Sequence, residues 1–214
     1  MTKRESQSPL TPDSSRRPVQ DALKRGADIV VSALGLLVSA PAWLLIGAAI
    51  VADDGWPILY SQPRVGRGGR VFRVLKFRSM RKDAESRSGA VFATKDDPRV
   101  TRLGRILRKT ALDEIPQIVN ILKGDMSWVG PRPERPEFVQ QFTMLLPDYP
   151  GRHQVRPGLT GMAQVYGRYY SEAAEKLEYD LEYVRTRSLL LDLRLFIVSW
   201  IVTFKGRWDA EEKR

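Results

Sequence analysis

From Ile29 to Ala52 the chain carries no charged residue. As one straight helix this run would reach roughly 36 Å, enough for a hydrocarbon core of about 30 Å. An ordinary transmembrane helix is therefore one reading. Pro41, near the centre, removes a helical hydrogen bond and clashes with the preceding turn. Ser39, two residues earlier, can satisfy a freed carbonyl. A break there would let the segment enter and leave on one side. The flanks suit that second reading: Lys24 and Arg25 precede the run, and Arg64, Arg67, Arg70 and Arg73 follow it. A spanning helix puts one basic flank outside, whereas a re-entrant one keeps both inside. On the residues alone both topologies stay open.

Beyond the run, Gly66–Gly69 predicts a hairpin turn, with Val71–Arg78 as its second strand. The glycines suit a plain turn and, less specifically, a phosphate cradle. Residues 81–98 are charged and Gly/Ser-containing, a loop placed to act as a lid. Val100, Leu103, Ile106 and Leu107 fall at helical spacing. The pattern resumes at Ile115, Ile118, Val119 and Leu122 and stops at Gly124. Thr110-x-x-Asp113 predicts a capping box for that second helix. Ser171–Arg187 predicts an amphipathic helix carrying Tyr179, Asp180 and Tyr183. Leu189–Phe204 is strongly apolar but short, and holds Asp192 and Arg194. It predicts a helix lying in the headgroup plane, anchored by Lys205, Arg207 and Trp208, or alternatively a buried core helix.

The expected fold class is α+β and mostly helical. A disordered, Ser/Pro-rich tail over 1–18 leads into a juxtamembrane and membrane segment with a helix-break-helix form over 19–53. A catalytic domain over 54–214 follows, with its interfacial helix at 188–206. The net charge of +10 divides into +2 over residues 1–28 and +8 over 53–214. Such a chain favours anionic partners: phospholipid, nucleotide or nucleic acid. The absence of Cys excludes disulfides, thiolate chemistry and Cys-ligated metals. The single histidine, His153, reads as a surface or structural residue.

The chemistry concentrates in Thr110–Gln117. Asp113 and Glu114 stand side by side just after Arg105, Arg108 and Lys109. Carboxylates can attack phosphorus or hold Mg²⁺, while guanidinium groups hold phosphate oxygens. The plainer alternative is that the two acids only favour a helix dipole. Val129–Pro136 sets Arg132, Glu134 and Arg135 among three prolines and a glycine, a rigid loop suited to phosphate or uracil, or simply a structural loop. Arg156–Gly161 is another turn-rich loop.

In this order, Lys76-Phe77-Arg78-Ser79-Met80, Asp97-Pro98-Arg99-Val100-Thr101, Arg108 through Asp113-Glu114-Ile115-Pro116-Gln117, Lys123-Gly124-Asp125-Met126-Ser127 with Gly130-Pro131-Arg132-Pro133, and Arg156-Pro157-Gly158-Leu159-Thr160-Gly161 resemble the bacterial sugar transferase family. These are monotopic phosphoglycosyl transferases acting on a polyprenol-phosphate carrier, and the resemblance runs from about Lys24 to Arg207. It implies a re-entrant membrane helix broken near Ser39 and Pro41, although family members often place Ser directly before that Pro, where this chain has Ala40. It implies a minimal catalytic unit on the cytoplasmic face of the bacterial inner membrane.

By the same resemblance, Asp113 attacks the β-phosphorus of a UDP-sugar, releases UMP and passes the sugar phosphate to undecaprenyl phosphate. This would begin exopolysaccharide, capsule, O-antigen or glycoprotein glycan assembly. Glu114 takes a general-base or metal-orienting role, and Mg²⁺ is held at Asp113 and Glu114. Lys76, Arg78, Arg108, Pro131, Arg132, Glu134, Arg156 and Asp180 become candidates around the phosphates and nucleotide. Membrane lipid, a second copy of the chain and downstream glycosyltransferases are the further partners implied. A membrane-tethered nucleic-acid-binding or scaffold protein without catalysis is the competing reading. Nucleic acid drops out as a partner because no binding motif accompanies the charge and the cations stand among carboxylates that repel a phosphate backbone.

Overall fold

The computed structural model describes residues 17–84, 89, 91, 97–167 and 172–204, the side chain of Phe204 excepted. The N-terminal tail to residue 16, most of the expected lid, and Lys205, Arg207 and Trp208 lie outside the described residues.

The apolar run belongs to a single helix, α1 (Pro18–Asp54). At 1.5 Å per residue its 37 residues reach about 55 Å. The break expected at Pro41 is not an interruption: the helix continues through it. The Ser39 hydroxyl lies 3.4 Å from the Leu36 carbonyl, not on the Leu37 carbonyl that Pro41 leaves without its donor. A proline costs one bond of the ladder, and intact turns on either side keep the axis helical.

One stripe of α1 is covered along its length: Asp28, Ser32, Ile46, Gly47 and Ile50 are buried. Leu34, Leu37, Val38, Leu44 and Leu45 on other faces are exposed. It is the helix among the described residues with the length and apolarity to cross a membrane.

Both ends of α1 are tied to the rest of the chain. At its start, Arg17 donates to the Arg187 carbonyl and Lys24 pairs with Asp192 at 2.7 Å. Arg25 donates to the Ile121 and Leu122 carbonyls. At its end, Ile46 and Ile50 pack with Phe77 and Leu107.

The hairpin forms as the pattern predicts. β1 (Leu59–Val65) pairs antiparallel with β2 (Val71–Phe77), Val65 opposite Val71. Gly68 and Gly69 take φ of 65° and 77°, a region glycine enters without strain. The turn is a plain one: the Gly66 and Gly69 amides donate to Arg70 and Gly66 carbonyls.

α2 (Arg102–Lys109) and α3 (Gln117–Lys123) follow, the latter closed by Gly124 in the left-handed region. Next come β3 (Ser127–Val129), α4 (Pro136–Leu145), β4 (Gly158–Thr160), α5 (Met162–Tyr166), α6 (Ala173–Thr186) and α7 (Leu189–Phe204). β3 and β4 pair in parallel, a contact that hydrophobic periodicity does not announce. Trp128 joins the parts: its indole N–H donates to Ser32 of α1, and its ring meets Phe196 of α7 edge-on. α7 leaves Leu190, Leu193, Ile197 and Trp200 exposed along one side, while Leu195 is fully buried.

Candidate active site

β2 carries Lys76, and α3 sets where that strand lies. The Asn120 amide accepts from the Leu75 N–H at 2.9 Å and donates to the Arg73 carbonyl at 2.8 Å, standing in for a strand neighbour on the free edge. α2 is set by close backbone packing. A Cβ on Gly104 would lie 2.0 Å from the Ser79 carbonyl oxygen, so only glycine lets the helix approach this far. One turn later, Arg108 Nε donates to Ser79 Oγ at 3.1 Å.

The chain then reverses. The Thr110 hydroxyl donates to the Ile106 and Leu107 carbonyls and so closes α2. The expected capping box is absent because Thr110 serves the helix before it. Ala111 adopts φ 55°, rare for a residue with a Cβ, and a 3₁₀ turn over Leu112–Glu114 presents the two acids. They therefore precede α3 and are not in its first turn.

Glu114 meets two cations. Lys76 Nζ lies 2.6 Å from Oε1, and Arg132 contacts both carboxylate oxygens, Nη1 at 3.3 Å from Oε2. Burial pushes the Glu114 carboxyl up, but Arg132 and Lys76 outweigh it and hold it well below the usual range. Arg132 is raised in turn, chiefly by the Glu114 charge. Asp113 is 6 % exposed and has no hydrogen-bond partner among the described residues. Burial pushes its carboxyl up, with Lys76 as the main opposing charge and Arg108 and Arg132 adding to it. The neighbours are thus driven in opposite directions, as happens where two carboxyls divide a chemical task.

Arg132 projects from the loop after β3. The parallel pairing places that loop: the Gly130 N–H donates to Thr160, and the Gly158 N–H donates to the Pro131 carbonyl at 2.9 Å. A Cβ on Gly158 would sit 2.1 Å from the Gly130 nitrogen, so the two loops touch through glycine.

Asp113, Glu114, Lys76, Arg108 and Arg132 therefore come together as the motifs suggest. Others do not. Arg78 is buried and spends Nη2 on the Asp54 and Gly55 carbonyls, with the Asp54 carboxylate 3.1 Å away. It fastens the C-terminal end of α1. Arg156 donates through Nε to Gly124 at the far end of α3, with Arg25 and Arg67 as its charged neighbours. Glu134 pairs with Arg64 at 3.4 Å. Asp180 is buried against Arg152, which also reaches the Arg132 carbonyl.

Arg152 is the residue that sequence reasoning missed. Its partner lies 28 positions away and no local pattern marks it. Gln117, three residues after Glu114, is also missed as an individual residue: it is buried and its Nε2 has no partner among the described residues. His153 packs edge-on against Tyr149 and is kept neutral, pushed down to about 4 by burial.

The carboxylates fit a magnesium ion in part. Glu114 is taken up by its two cations, which leaves Asp113 as the open oxygen donor. One carboxylate plus substrate phosphate oxygens is a usual Mg²⁺ environment. Among the described residues, no cluster of three acidic or imidazole side chains offers an all-protein cage.

A family model described as "Bacterial sugar transferase" matches residues 19–206. The chain belongs to the bacterial sugar transferase family. Among members of this family, the UDP-N-acetylgalactosamine-undecaprenyl-phosphate N-acetylgalactosaminephosphotransferase of Aeromonas hydrophila is 44 % identical over 179 residues, covering 82 % of this chain and 42 % of the relative. The UDP-glucose:undecaprenyl-phosphate glucose-1-phosphate transferase of Escherichia coli K12 is 40 % identical over 205 residues, covering 92 % and 43 %. The chain thus spans about two fifths of these relatives' length. Another family member, the exopolysaccharide production protein PSS of Rhizobium leguminosarum bv. phaseoli, is 40 % identical over 195 residues and is matched over 98 % of its length.

Proposed function

We propose that this chain transfers a sugar 1-phosphate from a UDP-sugar to undecaprenyl phosphate and releases UMP. The observation that carries the reading is Asp113: a buried carboxylate without a hydrogen-bond partner among the described residues, beside an acid already neutralised by two cations. Relatives named as UDP-sugar:undecaprenyl-phosphate transferases support the donor and acceptor classes.

Asp113 attacks the β-phosphorus. The bond from that phosphorus to the bridging oxygen breaks, and UMP leaves with its electron pair. The sugar phosphate is left joined to the carboxylate oxygen as an acyl phosphate, a mixed anhydride. A phosphate oxygen of the carrier lipid then attacks the same phosphorus, and Asp113 departs as the carboxylate. Its raised proton affinity makes it a stronger nucleophile once ionised, and no hydrogen bond has to be broken first.

Glu114 is held too far down to accept a proton near neutral pH. Its part is to hold Lys76 and Arg132 where negative charge gathers in the transition state. Arg108 lies close enough to act on Asp113, and it completes the cationic side. Mg²⁺, held at Asp113 and the substrate's own phosphates, would supply further charge neutralisation of the diphosphate.

The membrane geometry belongs to the same reading. Residues at both ends of α1 are bonded to one folded domain, which supports both ends of the helix lying on the same side of the membrane. The exposed apolar faces of α1 and α7 would then set the site at headgroup depth, where the phosphate of the lipid acceptor lies. Purified protein with Mg²⁺ and undecaprenyl phosphate should release UMP from one or two members of a UDP-sugar panel. Without acceptor, it should gain the mass of one phosphosugar on Asp113. UMP released with no adduct at any time point would overturn the covalent route, and no UMP from any sugar would overturn the transferase reading.

A further inference from the structure

We propose that Arg152 and Asp180 are positioning residues, acting on the reaction through the backbone of Arg132. This rests on the transferase reading above. Residues 131–133 are Pro-Arg-Pro, so two of the three lack an N–H, and the segment offers mainly carbonyls by which it can be held. Each carbonyl is taken by a donor from a different part of the fold. The Gly158 N–H reaches Pro131 at 2.9 Å, Arg152 Nη2 reaches Arg132 at 2.8 Å, and Arg64 Nη1 reaches Pro133 at 3.1 Å.

The middle contact is the one that orients the peptide carrying the Arg132 side chain. Arg152 is itself fully committed. Nε and Nη2 pair with Asp180 Oδ2 at 2.9 and 2.6 Å, and Nη1 donates to the Tyr149 hydroxyl at 2.7 Å. The Tyr149 ring lies 5.0 Å beneath the guanidinium. Asp180 and Arg152 are 2 % and 5 % exposed, so water does not loosen the pair. A line of contacts therefore runs from α6 through Arg152 to Arg132, then to Glu114 and Lys76 beside Asp113.

A pair that only stabilises the fold and a pair that aims Arg132 differ in how their loss combines with loss of Arg132. The test is a double-mutant cycle on the full chain, reading UMP release. Arg152→Lys keeps the charge but cannot reach Asp180, Tyr149 and the Arg132 carbonyl at once. It should lower kcat about 10²-fold while the donor KM moves by less than about threefold. In an Arg132→Ala background, the same substitution should cost less than about twofold more. Asp180→Asn should behave alike. If Asp180→Asn fails to fold, Tyr149→Phe, which spares the ion pair, should show the same loss of effect at smaller size. Multiplicative losses in both backgrounds would overturn the proposal. A second readout needs no turnover: in fully folded Arg152→Lys, amide exchange at Arg132 and Glu134 should quicken by more than at amides far from this loop. Unchanged exchange there would overturn it even in protein that releases no UMP.

Discussion

Asp113 and Glu114 are neighbours with opposite responses to pH. Asp113 has its folded pKa raised above the ordinary 3.8. Its stabilising effect is present below that value and is lost as pH rises through the folded pKa. Asp113→Asn removes that loss. The variant should melt higher than the native chain at pH 7 and lose the advantage as pH falls below about 4, while turnover drops by at least about 10³-fold. Glu114 runs the other way, with its folded pKa held below the ordinary 4.5. Its contribution is present above that value and disappears as pH falls through the folded pKa. Glu114→Gln should destabilise at pH 7 by about 2 kcal/mol, less than a fully buried pair because the Arg132 side chain is 41 % exposed. In urea titrations across pH, the deficit should shrink below about 4.5. Ala111 adds a strain of about 1 kcal/mol in its left-handed conformation, two residues before Asp113. Ala111→Gly should raise the melting temperature by roughly 2–4 °C and lower kcat, because a looser turn presents Asp113 less sharply. A lower melting temperature would show that the turn is unstrained.

The elements were largely readable from period and punctuation. Leu103 and Leu107 with Ile106 announce α2, Gly124 announces the end of α3, and Gly66–Gly69 announces the hairpin. What escaped was contact over distance. The parallel pairing of β3 with β4 involves strands of three residues each, too short for an alternation to register, and it is set by glycine allowing two loops to touch. Arg78 and Arg156 are phosphate candidates by their motifs, and what the motifs do not announce is that each also donates to backbone carbonyl oxygen at the end of a helix, where a cation satisfies carbonyls the helix cannot. The placement of α2 and β2 can be tested at single atoms. Gly104→Ala forces a methyl into the Ser79 backbone and should cost about 1–3 kcal/mol by denaturant titration. It should also weaken catalysis by moving Arg108 off Ser79. Asn120→Ala removes two bonds to the β2 edge and should cost about 2 kcal/mol, with Lys76 displaced from Glu114. A neutral outcome in either would mean that the neighbouring element is held by other contacts.

For the molecule as a whole, the membrane placement proposed above rests on α1. Its start is bound to α3, α6 and α7 and its end to Arg78 and α2, so a single domain grips both ends. The chain contains no cysteine, so single cysteines placed at Ala22 and Trp56 report topology directly. An impermeant thiol reagent applied to intact cells should label neither, and it should label both after permeabilisation. Labelling of one end only would mean that the helix crosses. The tie between Lys24 and Asp192 has a temporal side as well. The partners are 168 residues apart in the chain. At a synthesis rate of about 5–20 residues per second, roughly 8–34 s separate the emergence of the first from that of the second. Ser127 and Trp128, which cover Asp28 and Ser32, lie 99 and 96 residues after them, so that stripe of α1 waits roughly 5–20 s for its partners. The longest apolar run of the chain is thus made before the segments that fix it, and its assembly has to be followed on the ribosome as well as in refolding experiments.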